Sequence, residues 1–405
     1  MSPLPYLSAN RSMGESREKA IAASWRYALR RLCGRAVRWR GGAGLALGAP
    51  RVWLLLAEKV GDNAQVRVLA EALGLPFEVR RLVMRPRYRL GKPRFRPTLR
   101  HLDLARSDPL EPPWPDLILT IGRRCAMVAL WIKRRSGGRS RIVLVGRPRQ
   151  RMGDYDLLLV PPQYPLPDNG RAVALELPLM RVDPERLARA REQWRERLAG
   201  FARPLTAVLV GGATRPYRLD GTVADRLLRD VQALRARDGG SLFISTSRRT
   251  PESAATVLAR AVEQGAGFYR FRPEGGDDNP YLGLLAHADR FVVTGDSVSM
   301  LVEVARLGRP LAVYPLPVRE TLADWIARRL LWALAPGAPL GGLGRALRAL
   351  GLIGVPRDLE ALHRRLYERG LAVPFGAPFP PPRNRSSGED ELVALAERVR
   401  RLVAP

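Results

Sequence analysis

Cysteine is almost missing from this chain: 405 residues hold two, Cys33 and Cys125. Neither sits at metal-ligand spacing, and two thiols so far apart make no disulfide framework, so a reducing compartment is expected. Histidine is scarce as well. His101, His287 and His363 lie far apart and form no H-E-x-x-H pattern, so no metal centre is expected. No apolar run approaches the ~18 residues that a membrane-crossing helix needs. Arginines interrupt the first residues, so no secretory leader is expected either. There is no G-x-x-x-x-G-K-[ST] loop, no G-x-G-x-x-G turn with its downstream acid, and no G-x-S-x-G elbow; these absences argue against a P-loop, a dinucleotide site and a hydrolase nucleophile. The RNP aromatic pattern, the zinc finger and the KH-type loop are also missing, so no specific nucleic-acid partner is expected.

What the chain has in excess is positive charge. It carries 68 basic against 39 acidic residues, a formal net charge of +29. Nearly all of the basic residues are arginine, with lysine only at 19, 59, 92 and 133. Such a surface draws anionic partners. The density is highest at 11–40 and 80–100, with further clusters at 123–151 and 186–197. Within 17–40, Ile21, Trp25, Leu29, Leu32, Ala36 and Trp39 recur at helical spacing among arginines. That pattern suits a basic amphipathic helix lying on an anionic membrane surface. It suits equally a helix packed on the protein's own core, or residues upstream of the true start.

From residue 51 the pattern alternates strand and helix, which implies mostly parallel sheets. The expected organisation is a basic extension (1–50), a Rossmann-like domain (51–178), a second Rossmann-like domain (179–330) and a helical, proline-rich tail (331–405) packing back on both. Apolar runs at Val52–Ala57, Phe77–Val83, Asp116–Ile121, Arg141–Val145 and Tyr155–Val160 read as strands of the first domain. Helices are expected from Asn63 to Leu73 and from Gly122 to about Arg134. A charged helix over Leu179–Arg203 opens the second domain.

In the second half four polar turns follow apolar runs, so they should meet on one rim of a sheet, where open α/β folds bind phosphorylated ligands. The first holds Gly211, Gly212 and Thr214; glycines let backbone amides approach an anion. The second holds Ser247, Arg248 and Arg249, a cation pair suited to a diphosphate. Thr250 is expected to cap the next helix, with Pro251 at its first position. The third holds Asn279, a candidate cap, and Tyr281, a ring that can meet a base. The fourth holds Asp296, Ser297 and Ser299 ahead of a helix. Each reads equally as an ordinary turn or helix start; four at corresponding strand ends argue for a ligand. Glu303 lies four residues beyond Ser299 and three beyond Met300, so all three share a helix face. Val298, Leu301, Val302 and Ala305 cover the opposite face. A carboxylate so placed suits the two hydroxyls of a ribose, or is a solvated helix residue.

In the first half, Glu58, Asp62 and Gln65 follow the first strand. Asp62 or Glu58 can act as a general base toward an acceptor hydroxyl; Asp62 can equally be a helix cap. Arg123, after Gly122, offers a cation at another strand end.

The runs T-S-R-R-T-P (246–251), N-P-Y-x-G-x-L-A-x-A-D (279–289) and V-T-x-D-S-V-S-M-x-x-E (293–303) resemble the mitochondrial-fission Elm family. G-D-N-A-Q (61–65) and the Gly122-Arg123 turn also fit its pattern. The resemblance covers roughly 51–320. The family takes its name from a plant protein, and its bacterial members are provisionally described as glycosyltransferases. It implies two facing Rossmann-like domains of the GT-B kind. The S-V-S-M-x-x-E segment is further similar to the nucleotide-sugar site of the glycosyltransferase that adds GlcNAc to the peptidoglycan lipid precursor. By that likeness Glu303 would hold the ribose, with Ser297 and Ser299 near the phosphates. The Gly-Gly-His-type loop of that enzyme is replaced here by Gly61-Asp62-Asn63, so the likeness supplies no catalytic base.

The expectation is therefore a cytoplasmic glycosyltransferase, peripheral on the cytoplasmic face of the inner membrane. It would move a sugar from a nucleoside-diphosphate donor to an envelope lipid or polysaccharide acceptor, with inversion and without a metal or other cofactor. A non-catalytic membrane adaptor keeping the same fold is the alternative, and other nucleotide-sugar chemistry, such as epimerisation, is a second.

Overall fold

The computed structural model describes residues 49–58, 60–89, 96–149, 151–273, 278–318, 322–334, 337–349, 357–383 and 389–404. The basic extension expected over 1–50 lies almost wholly outside these residues. Two parallel six-stranded sheets organise the chain in a two-domain, Rossmann-like α/β fold.

The first sheet contains β1 (Val52–Leu56), β2 (Phe77–Arg81), β3 (Leu117–Ile121), β4 (Arg141–Val145), β5 (Leu157–Val160) and β6 (Ala172–Ala174), in the order β2-β1-β3-β4-β5-β6. All five residues of β1 are buried. Strand geometry sends alternate side chains to opposite faces. Val52, Leu54 and Leu56 therefore join a core under α1 (Val60–Leu73), while Trp53 and Leu55 join another under α2 (Arg123–Arg135). Helices on both faces explain why the parallel strands read as unbroken apolar runs rather than as alternation.

The second sheet contains β7 (Leu205–Val210), β8 (Ser241–Thr246), β9 (Gly267–Tyr269), β10 (Arg290–Thr294), β11 (Leu311–Tyr314) and β12 (Val373–Pro374), in the order β12-β11-β10-β7-β8-β9. Its helices include α3 (Pro184–Ala199), α4 (Gly221–Asp238), α5 (Glu252–Ala259), α6 (Tyr281–His287) and α7 (Val298–Arg306). Helix α3 begins at Pro184, later than its charge pattern suggests, because the Asp183 carboxylate accepts the amides of Glu185 and Arg186 and proline fills the first helical position. Leu187, Trp194 and Leu198 on this helix pack into the second core.

In each sheet the chain reverses direction beside its first strand, between β1 and β3 and between β7 and β10. The crevice at the carboxyl ends of such a pair is where open α/β sheets receive ligands.

The last part of the chain joins both halves. After α8 (Leu322–Ala333) and α9 (Gly341–Ala349), helix α10 (Leu359–Glu368) buries Leu359, Leu362 and Leu366 in the second core. Strand β12 then pairs with β11. Helix α11 (Glu389–Arg400) returns to the first half, where Leu395, Ala396 and Val399 pack with Val66 and Leu69 of α1. Arg400 donates to the carbonyls of Ala72 and Leu73, closing the free end of α1. Glu391 accepts the Glu176 amide at 2.6 Å, and Arg306 donates to the Pro178 carbonyl. The crossover between the sheets is thus held by side chains from both.

Candidate functional site

The strongest constellation lies at the reversal point of the second sheet. Thr294, the last residue of β10, is fully buried; its hydroxyl accepts the Gly211 amide and donates to Asp296 Oδ1, each at 2.8 Å. Asp296 Oδ2 accepts the Gly212 amide at 2.8 Å and the Thr214 hydroxyl at 3.3 Å. One buried carboxylate therefore ties the turn after β7 to the turn after β10. Burial pushes its pKa above the ordinary carboxylate range, against the pull of the Gly212 and Thr294 hydrogen bonds.

The turn after β8 joins the same unit. Ser247 Oγ donates to the Gly211 carbonyl at 2.8 Å, and Thr250 Oγ1 donates to that carbonyl at 2.5 Å. Thr250 therefore does not cap the next helix as expected: its hydroxyl faces back to the first turn and accepts the Ser247 amide, and Pro251 takes the cap position. Both glycines are required by this closeness. A Cβ on Gly211 would stand 2.3 Å from Asp296 Oδ1, and one on Gly212 would stand 2.3 Å from the Arg249 carbonyl oxygen. Arg249 Nη1 donates to the Thr214 hydroxyl at 2.8 Å, and its other terminal nitrogen lies 4.0 Å from Asp296. Arg248, exposed beside it, has no ion-pair partner among the described residues.

The third turn contributes through its tyrosine. Asn279 Oδ1 accepts the Tyr281 amide, which starts α6. The Tyr281 hydroxyl donates to Glu303 Oε2 at 2.6 Å. Helix α7 has the two faces its spacing predicts: Val298, Leu301, Val302 and Ala305 are buried, while Ser299, Met300 and Glu303 are partly exposed on the other face. Burial raises the Glu303 pKa above its ordinary value and drives that of Tyr281 well up. Ser297, almost fully buried, holds the cap position of α7, and its side chain makes no capping bond.

His363 is a residue of this site that the sequence reading missed. Its Nε2 lies 2.7 Å from the Gly295 carbonyl, so the neutral ring can donate there. Burial lowers its pKa. It belongs to α10, outside the motif-bearing region, where no motif marks it. The signal present was its place beside the buried stripe of Leu359, Leu362 and Leu366.

The first sheet brings its predicted residues to the matching rim in a different state. Gly61, Asp62 and Asn63 lie in the first turn of α1 rather than in a loop. The helix begins early because Asn63 exchanges two hydrogen bonds with the backbone of Ala57. Asp62 is thus a first-turn acid, not the cap. Glu58 accepts the Met84 amide. Glu58 and Asp62 both act on Cys125 of α2, whose thiol is driven up to about 12 chiefly by burial. Gln65 is buried and not at the rim surface, and its Oε1 has no hydrogen-bond partner among the described residues. Arg123 follows Gly122, which adopts φ 80° at the head of α2. Its pKa is lowered by burial and by the charges of Arg149 and Arg124. His101 sits behind this rim, 3.1 Å from the Arg124 carbonyl.

No helix among the described residues is long and apolar enough to cross a membrane. Nor, among them, does any group of three His, Cys, Asp or Glu side chains gather as a metal site would require.

Comparison with known proteins bears on this geometry. Solved structures overlap weakly. A UDP-GlcNAc 2-epimerase from Methanocaldococcus jannaschii is 11% identical with a TM-score of 0.43, over 86% of this chain and 99% of that one. MurG of Acinetobacter baumannii is 13% identical with a TM-score of 0.40, over 87% and 92%. Overlaps this low carry no argument about activity. The sequence relatives are more informative. The mitochondrial fission protein ELM1 of Arabidopsis thaliana is 26% identical over 234 residues, 52% of this chain and 54% of that protein. The chain thus spans about half the length of that relative. The uncharacterized protein RP120 of Rickettsia prowazekii is 22% identical over 298 residues, 66% of this chain and 83% of that protein. The profile described as mitochondrial fission ELM1 matches residues 60–332, which include the reversal point of the second sheet and its four turns but not β1 or Glu58. The chain belongs to the mitochondrial fission ELM1 family.

Proposed function

We propose that this protein is a glycosyltransferase that takes a sugar from a nucleoside-diphosphate donor and passes it to a lipid or polysaccharide hydroxyl. The observation that carries the reading is the joining of three strand-end turns into one hydrogen-bonded unit at the reversal point of the second sheet, with Glu303 one helical turn further along α7. The donor's ribose hydroxyls would take the place of the Tyr281 hydroxyl on Glu303, and the Tyr281 ring would lie near the base. Arg248 and Arg249, with the amino end of α7 behind Ser297 and Ser299, would meet the diphosphate. Charge-assisted bonds of this kind contribute roughly 1.5–3 kcal/mol each.

The acceptor would approach from the first sheet. Asp62 or Glu58 removes the proton from the acceptor hydroxyl as its oxygen attacks the anomeric carbon. The bond from that carbon to the diphosphate oxygen breaks, and the electron pair leaves with the diphosphate, whose growing charge the arginines offset. Direct displacement inverts the anomeric centre. Arg123 would position an anionic group of the acceptor. Such an enzyme would work at the cytoplasmic face of a membrane. Calorimetry against a panel of nucleoside-diphosphate sugars tests it, with Glu303→Ala as control: binding of one donor, lost in the variant, is the expected outcome.

One observation favours a second reading, a non-catalytic adaptor that keeps the fold. Asp296 already occupies the Gly212 amide, and Tyr281 already occupies Glu303. An adaptor predicts that Glu303→Ala and Arg248→Ala leave partner binding intact.

A further inference from the structure

Ten large apolar side chains stand exposed among the described residues, and six of them fall within one short segment: Val318, Ile326, Leu330, Trp332, Leu340 and Leu343. Trp332 is 65% exposed and Leu330 is 55% exposed. Five of the six lie in a helix-turn-helix hairpin, α8 followed by α9, and Val318 lies just ahead of it. The hairpin closes at Gly344, which lies against the Leu334 carbonyl so tightly that a Cβ would have no room. Ile326 and Leu330 are one helical turn apart on α8 and share a face. A single exposed leucine needs no explanation, but six exposed apolar side chains between Val318 and Leu343 do.

We propose that this hairpin is a membrane-docking surface that lies in the headgroup region of an anionic bilayer. Charge selects the occupant. Over 322–349 the sequence carries four arginines (Arg328, Arg329, Arg345, Arg348) and a single acid, Asp324, within a chain of net charge +29. Apolar residues with tryptophan beside arginine fit a lipid interface, where rings and acyl chains meet anionic headgroups. At 12 and 9 residues the helices are too short to cross a bilayer. They can lie along its surface.

The position of the hairpin gives the docking a use. Val318 bridges Tyr217, and the Arg218 amide donates to the Pro317 carbonyl. The loop that begins at Gly211 and Gly212 is therefore stitched to the chain just before α8. A bilayer seated on the hairpin lies next to the candidate donor site, and a lipid acceptor would reach that site without leaving the membrane. The docking itself needs no donor chemistry; only this use rests on the glycosyltransferase reading.

Vesicle co-sedimentation of the full chain tests the proposal, using phosphatidylcholine alone and phosphatidylcholine mixed with phosphatidylglycerol. The probes are wild type, Leu330→Ser/Trp332→Ser/Leu343→Ser, and a chain lacking residues 1–45. Wild type is expected to bind the anionic vesicles and to release as salt rises. The triple variant is expected to bind roughly tenfold more weakly or worse, with its thermal melt unchanged, because three apolar anchors are gone. The shortened chain retains binding that the same substitutions remove. If the triple variant melts early, Ile326→Ser/Leu340→Ser replaces it. Wild-type binding by the folded variants overturns the proposal. So does complete loss on removing 1–45, which assigns the membrane contact to that segment, or self-association of wild type that the variants lose while vesicle binding stays intact, which makes these residues a self-association face. Calorimetry with nucleotide sugars in the absence of vesicles separates failure of docking from failure of the donor reading.

Discussion

The two reversal points are built on the same plan and filled in opposite ways. In the second sheet, glycines, hydroxyls and one buried carboxylate lock the turns together, and the cations stand at the outer edge. In the first sheet, charged side chains gather on the rim itself: Glu58 and Asp62 beside β1, Arg123 and Arg124 beside β3. The glycines show the difference most directly. Gly211 and Gly212 have neighbours so close that no Cβ fits, whereas at Gly61 no described residue lies within 4 Å of the place a Cβ would take. The amides of Gly211 and Gly212 and the hydroxyls of Ser247 and Thr250 are taken up inside this unit, contrary to the expectation that the glycine amides meet an anion. A locked turn therefore serves to hold Arg248, Arg249 and the start of α7 in fixed places. A charged, open rim suits proton transfer and an acceptor that must come and go.

Several substitutions would break this comparison or sharpen it. The largest effect is expected from Gly212→Ala, which forces a methyl group against the Arg249 backbone. A loss of about 1–3 kcal/mol is expected from overpacking in so rigid a turn, read as a drop in the denaturant midpoint. Asp296→Ala should cost a similar amount, because it strands the Gly212 amide and the Thr294 hydroxyl in a buried place. An Asp296→Ala chain as stable as wild type would mean that the turns are not held together by this carboxylate. On the other rim, Asp62→Ala should leave the melt nearly unchanged and abolish turnover, if Asp62 is the base.

Acidity offers a finer probe. Burial raises the Glu303 pKa above its ordinary 4.5. The fold therefore favours the neutral carboxyl: its stabilising contribution is complete below about 4.5 and is lost as pH rises through the raised value. Wild type should thus lose stability relative to Glu303→Gln as pH rises through that window, in paired thermal melts. His363 works in the opposite direction, since burial lowers its pKa from 6.5. Its contribution is present above 6.5 and is lost as pH falls through the lowered value, a loss that His363→Gln should remove. The smallest effect belongs to Gly61→Ala, which should stabilise α1 by a few tenths of a kcal/mol up to ~1 kcal/mol, since alanine is the better helix former and has room.

Much of this was legible before any coordinates. Buried parallel strands announce themselves as apolar runs, and the polar turns after them fall where the sheet order puts a rim. The two faces of α7 followed from spacing alone. What spacing does not carry is the direction in which a short polar side chain turns. Threonine before proline reads as a helix cap, but the nearby Gly211 carbonyl takes the Thr250 hydroxyl instead. The early start of α1 depended on Asn63 reaching back to Ala57, a contact between residues six apart that no periodicity marks. His363 comes from a helix nearly seventy residues beyond the turn it touches, and only the tertiary fold brings them together. The return of α11 to α1 is hidden for the same reason.

The measurement that bears most directly on the account is isothermal titration of the full-length protein with nucleoside-diphosphate sugars, repeated with Glu303→Ala and Arg248→Ala. The account predicts saturable binding of at least one donor. It also predicts roughly a tenfold or greater loss in each variant, the scale of one charge-assisted hydrogen bond. Binding by none of the donors, or binding that both variants retain unchanged, would contradict it.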